Sequence, residues 1–145
     1  MPKSTSSCNS ILALIFNATA WSNFADNAGS SPNTNLYVSL HTADPGVGGS
    51  QTTSEATYTN YDRVAVARTT GGWDAPSGSA TQNAALIQFP QCGVTGNTIT
   101  HVAIGKSSYP TGGIILYSGA LTSSLAVASG IQPQFAAGAL DVSES

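Results

Sequence analysis

Ionic side chains are what this sequence has least of. Only 8% of its 145 residues are Asp, Glu, Lys or Arg, against about 25% in an average globular protein. The four cations, Lys3, Arg63, Arg68 and Lys106, are scattered along the chain. Non-specific nucleic-acid binding needs clustered cations that track phosphates, so direct nucleic-acid partners are not expected. Cysteine is sparse too: Cys8 and Cys92 leave one disulfide open without requiring it. No apolar run approaches the length of a membrane span, so no membrane partner is expected. Ile11–Phe16, with Lys3 before it and Ala18-Thr19-Ala20 after it, imitates a secretory leader, but six apolar residues are short for that role.

Chemical motifs are scarce as well. Gly105-Lys106-Ser107 copies the end of a phosphate-binding loop, yet Thr100 stands where its first glycine belongs, and Tyr109-Pro110 follows where a helix should start. His41 and Asp44 are close in sequence, but no G-x-S-x-G elbow accompanies them. The pair reads as turn chemistry, and catalysis is not expected. Cys8, His41, Cys92 and His101 show no metal-ligand spacing, and Asp62 and Asp74 stand without further carboxylates. Neither a metal nor a cofactor is expected.

Hydroxyls take the place of ions. The chain holds 20 Ser and 16 Thr, with a net charge of only −3. Hydroxyl and small side chains cost less to desolvate than ions and lose little entropy when fixed. Such a surface suits lasting contact with other protein. The 41% apolar content and the length match one domain that buries roughly 70% of its unfolded surface and needs no staple.

The pattern along the chain is helix, then strands. Residues 1–8 are polar and read as an N-terminal arm. Ile11, Leu14, Ile15, Ala18, Trp21 and Ala25 follow helical spacing, which predicts a helix over 9–25 capped by Asn9 or Ser10. Residues 26–35 read as a loop. Leu36, Val38 and Leu40 then alternate against Tyr37, Ser39 and His41, the period of a strand. Asp44, Pro45 and Gly46 form a structural turn. Val47 to Thr59 reads as a long loop, either a binding element or simply mobile. Further strands are expected over 63–68, 85–89, 99–104, 114–121, 125–128, 131–135 and at Leu140–Val142. The run from Ile114 is nearly continuous in apolar residues, so it is expected at the centre of a sheet. Pro133 marks its strand as an edge or a bulge. The fold class is mainly β: a single sandwich, jelly-roll-like, over 9–145, with a short N-terminal helix and an arm over 1–8.

With no chemistry in view, the candidate site is an interface. Lys3, Ser4 and Thr5 of the arm, and Val47, Gln51 and Tyr58 of the long loop, are candidates to reach a neighbour. Trp73 and Tyr109 are candidate aromatic anchors or, equally, platforms for sugar rings. Trp73 also reads as a plug at one end of the sandwich, and Trp21 as the residue packing the helix onto the sheet. Cys8 and Cys92 read first as buried or idle thiols; the alternative for Cys8, on the polar arm, is an exposed reactive thiol. His101 shares a face with Ile99 and Ala103 and reads as a solvent-side or interface histidine. Arg63 is expected to pair with Asp62 or Asp44.

Four short blocks resemble a known family. They are Leu36–Gly46 (LYVSLHTADPG), Tyr61–Val66 (YDRVAV), Asn97–Gly105 (NTITHVAIG) and Phe135–Leu140 (FAAGAL), supported by Asn83 and Phe89-Pro90. In order and spacing they resemble small bacteriophage virion proteins, known as capsid cement or decoration proteins and as tail-fibre-like proteins. The resemblance implies a compact β-sandwich displayed on the virion, with no catalytic residues to carry over. It implies a cement protein on the capsid surface that bridges subunits of the major capsid protein and forms a homodimer or homotrimer. The alternative it leaves is a tail-fibre or adsorption module that binds a cell-surface glycan.

Overall fold

Ser4 starts the first element. Its side chain accepts a hydrogen bond from the Ser7 amide at 3.2 Å, the N-cap arrangement that satisfies an orphan helical donor. Helix α1 then runs Thr5–Phe16 and buries Cys8, Leu12 and Phe16, one residue per turn on one stripe. The helix therefore begins inside the segment that reads as an arm. Cys8 is a buried core thiol, not an exposed one. Asn9, expected as a cap, instead accepts from the Ser79 amide at 2.8 Å.

The helix also stops earlier than its periodicity predicts. Asn17 is the C-cap, and Ala18 turns the chain at φ +52°. No basic residue stands in the last turn. Arg68 reaches in from far along the chain, donating from Nε to Ile15 O and from Nη2 to Leu14 O, both at 2.6 Å. A cation there answers both the unpaired carbonyls and the negative end of the helix dipole. Trp21 lies beyond the helix and exchanges backbone hydrogen bonds with Ala25. The computed structural model describes residues 3–21, 25 and 32–145. The rest of the expected helical stretch, 22–24, and positions 26–31 of the expected loop lie outside the described residues.

Among the described residues the fold is mainly β. Eight strands follow α1: β1 Asn35–His41, β2 Val64–Ala67, β3 Ala80–Gln82, β4 Ile87–Gln88, β5 Asn97–Gly105, β6 Ile115–Val127, β7 Gln134–Phe135 and β8 Asp141–Ser143. They form a four-stranded sheet in the order β2-β1-β5-β6 and two ladders, β3-β8 and β4-β7. β1 and β5 run antiparallel, with Tyr37 opposite Gly105 and His41 opposite His101. The alternation over Leu36–His41 thus yields the expected strand. β3 has no sequence signal, since three residues with one buried side chain, Thr81, show no period. The runs 114–121 and 125–128 merge into β6, which is the outer strand of its sheet, not a central one. Its small residues explain the difference: Ser118, Gly119 and Ala120 need no cover, and all three are exposed.

The chain divides into two compact units. The first comprises Met1–Asn35, Val66–Ile87 and Phe135–Ser145. Its core holds Trp73, fully buried and edge-on to Phe16 at 4.8 Å between ring centroids. Asn83 is also fully buried and joins two distant segments. It donates to Ala85 O and Ala136 O and accepts from the Leu140 amide, each at 2.8 Å. A buried amide with its donors and acceptor used specifies one chain arrangement, because any slip would strand polar groups without water.

The second unit comprises Leu36–Ala65 and Gln88–Gln134. Here both faces of β1 are covered: Val38 and Leu40 are buried on one side, and Ser39 and His41 on the other. The cover on the polar side is the segment after β1. Thr42 donates its amide to Ser54 O and Ala56 to Leu40 O, each at 2.8 Å. Gln51, Ala56 and Tyr58 are buried to 2% exposure or less. What reads as a free loop over 47–59 therefore sends Gln51, Ala56 and Tyr58 into the core, while Val47 and Thr52–Ser54 stay exposed. Its low apolar content hides this, because only Ala56 and Tyr58 are apolar among the buried residues and they are separated by an exposed Thr57.

Candidate functional site

Arg63 organises the second unit from within. Its side chain is 0% exposed and that of Glu55 is 5% exposed. The guanidinium meets this carboxylate in a two-pronged pair, Nε to Oε1 at 2.7 Å and Nη2 to Oε2 at 2.8 Å. Glu55 is thus the partner; Asp62 accepts only the Arg63 backbone amide, and Asp44 is engaged elsewhere. Nη1 donates to three carbonyls, Ser107, Ser108 and Thr111, at 2.7, 3.0 and 2.8 Å. Only a planar fork with five donors can serve a carboxylate and three carbonyls at once.

Tyr61 completes the network. Its hydroxyl donates to Glu55 Oε1 at 2.9 Å and accepts from the Leu40 amide at 3.0 Å. Burial pushes this phenol far above its ordinary value of 10.0. The Tyr61 ring stacks with Phe89 and meets Tyr58 and Tyr109 edge-on. Tyr109 also lies under the Arg63 guanidinium, 5.9 Å from ring centroid to Cζ. The Tyr58 hydroxyl donates to Pro90 O, and burial pushes it up to about 12.

Gln51 ties two loops together. Its backbone N–H donates to Gly113 O, and its side-chain Oε1 accepts from the Ser107 backbone amide, both at 2.9 Å. The side chain sits against two glycines. A Cβ at Gly105 would stand 2.2 Å from Gln51 Cδ, and one at Gly113 would stand 2.7 Å from Oε1. Only glycine allows that approach. Gln51 Nε2 is a buried donor with no partner among the described residues.

Above this frame stand two presented side chains. Asp44 Oδ1 accepts from the Gly46 amide at 2.9 Å, and Gly46 takes φ +69°, so the Asp44-Pro45-Gly46 turn forms as expected. Val47 follows it, fully exposed, and Tyr109 is 38% exposed. The other expected interface residues fare differently. Lys3 pairs with Glu144 at 2.7 Å, Ser4 caps α1 and Thr5 opens it. Gln51, Tyr58 and Trp73 are buried and present nothing to a partner. Their place on an apparent loop (Gln51, Tyr58) or their aromatic type (Trp73) suggested exposure; their burial comes from contacts distant in sequence.

Ser39 and His41 form the one serine–histidine contact among the described residues, at 2.9 Å. Both are 0% exposed. His41 Nδ1 must donate to Thr53 O at 2.9 Å, so Nε2 accepts from Ser39. A backbone carbonyl thus orients this ring, where a triad would place a carboxylate. Burial lowers the His41 pKa below its ordinary 6.5, aided by Arg63 and His101 and opposed by Thr53 O and Glu55. The unfolded chain then takes up this proton at a higher pH than the fold does. Stability from neutral His41 is present above about pH 6.5 and is lost as pH falls through the folded value. The urea midpoint is expected to drop from pH 7 to pH 5, with a shallower drop in His41→Asn.

The first unit contributes an open cleft of about 400 Å³, lined by Ser6, Asn9, Asn17, Thr19 and Thr70 among others. Its lining holds hydroxyls and amides but no ionisable side chain and no aromatic ring. Cys92 is buried and unpaired, with Sγ 3.4 Å from Thr95 O. Gly105 ends β5, and loop residues follow it where a phosphate-binding helix would be needed.

A family model matches residues 2–143, that of the podophage GP4 fiber I protein gp80. The chain belongs to this gp80 family of phage fibre proteins. No curated protein matches it. The expectation of a phage virion structural protein holds at that level, and the family's description favours the fibre alternative over capsid cement.

Proposed function

We propose that this protein is a tail-fibre or adsorption module that acts by contact, without catalysis, and that its ligand is a cell-surface glycan. The family match supports the fibre reading. The observation that carries the adsorption reading is the cross-braced tip. Tyr109 is 38% exposed on a loop that Arg63 and Gln51 hold through Ser107, Ser108, Thr111 and Gly113, and Val47 is fully exposed after the Asp44-Pro45-Gly46 turn. A preorganised tip loses little entropy when it binds. The exposed part of Tyr109 offers aromatic surface and a hydroxyl of the kind that sugars contact.

Adsorption of phage to host cells tests this. Val47→Asp alters only a fully exposed side chain and is expected to leave the melting temperature unchanged. It should weaken cell binding roughly tenfold, about 1.4 kcal/mol. Labelled antibody should mark the tail. Label spread over the head, with adsorption intact in Val47→Asp, would return the protein to the capsid-cement reading and its partner to the major capsid protein.

A further inference from the structure

Helix α1 carries two stripes. Cys8, Leu12 and Phe16 are buried in the core, whereas Ser6, Asn9, Ala13 and Asn17 line the open cleft of about 400 Å³. Spacings of three and four residues put this second set along one side of the helix. Thr70, Ala75 and Pro76, from the chain between β2 and β3, line the cleft as well. All of these residues belong to the first unit.

Two amides in this lining are held from one side only. Asn9 accepts from the Ser79 backbone N–H at 2.8 Å, so the atom used there is Oδ1. Asn17 donates to the Trp73 carbonyl at 3.0 Å, so the atom used there is Nδ2. A backbone N–H only donates and a carbonyl only accepts, and these partners fix which way each amide points. Left over are the Nδ2 group of Asn9, with two donor hydrogens, and Oδ1 of Asn17, an acceptor. Neither has a partner among the described residues, and both remain accessible. Two helical turns, roughly 12 Å along the axis, separate the two residues.

We propose that this cleft binds an uncharged saccharide through its hydroxyls. No ionisable side chain lines it, so a charged ligand would lose hydration and gain no counter-charge. A sugar hydroxyl both donates and accepts, so one ligand can satisfy Asn9 Nδ2, Asn17 Oδ1 and the hydroxyls of Ser6 and Thr70 together. Ala75 and Pro76 add a small apolar surface for the C–H face of a ring. An extended peptide would find no strand in the lining to pair with, since helix and loop residues form all of it. The volume lies within the usual range for small-ligand sites, roughly 300–1,000 Å³. The role of such a site on the virion rests on the adsorption reading, but the cleft shares no residue with the tip that presents Val47 and Tyr109.

Amide NMR of the isotope-labelled full chain tests the site. The probes are neutral di- and trisaccharides of glucose, galactose and mannose, with digalacturonate as the charged comparison. At least one neutral probe is expected to shift the Asn9, Ala13, Asn17 and Thr70 amides, and digalacturonate to bind at least about tenfold more weakly. Ala13→Met fills the cleft with another good helix former and should weaken the neutral probe at least about tenfold, with the melting temperature unchanged. Thr70→Gln, at an exposed residue, should weaken it in the same sense. Val47→Asp should leave the cleft shifts intact, so a failed tip and a failed cleft give different results. Shifts confined to the Tyr109 loop, or no shift with any neutral probe, overturn the proposal. So does digalacturonate that binds as tightly, or cleft binding that survives both Ala13→Met and Thr70→Gln.

Discussion

Glu55→Ala is expected to destabilise the protein by about 3–5 kcal/mol, the usual effect of stranding a buried charge. The Arg63 guanidinium would keep its three carbonyls but lose its counter-charge, with no water to replace it. The Tyr61 hydroxyl would lose its acceptor in the same step. Against a total stability of about 5–15 kcal/mol, that is a large fraction. The melting temperature should fall by roughly 10 °C or more. Glu55→Gln keeps the shape and some acceptors and should fall between wild type and alanine. Arg63→Lys should also destabilise, because a point ammonium cannot pair with both carboxylate oxygens and three carbonyls together. Differential scanning calorimetry on the three variants checks the order. Wild-type stability in Glu55→Ala would remove the network from any account of how the tip is held.

Trp73→Ala is the second large effect, about 3–5 kcal/mol from lost burial and the cavity left behind. The ring is 0% exposed and edge-on to Phe16. Its Nε1 is a buried donor with no partner among the described residues. Trp73→Phe removes that unpaired donor along with part of the ring, so the two effects oppose each other, and its cost should be far smaller. Urea unfolding of both variants separates this core role from the anchor role that the residue type suggests. An anchor would lose binding while keeping its unfolding midpoint; a core residue loses the midpoint first.

Some of this was legible without coordinates. The alternation over Leu36–His41 gives β1, and Asp44-Pro45-Gly46 gives its turn, because both depend on neighbours along the chain. The four short blocks resemble phage virion proteins, and the family match over residues 2–143 agrees. Other features had no local signal. Asn83 resembles any loop amide until Ala136 and Leu140 arrive from 53 and 57 residues away to satisfy it.

The sequence by itself thus determined strand propensity, turn chemistry and an uncharged surface, which are properties of residues and their immediate neighbours. Tertiary structure decided which carboxylate Arg63 takes, that Gln51 and Tyr58 belong to the core, and that β6 lies at an edge. The physical reason is the same each time. Burial and ion pairing are set by segments far apart in the chain, and an apolar run carries the same period whether or not another strand stands beside it.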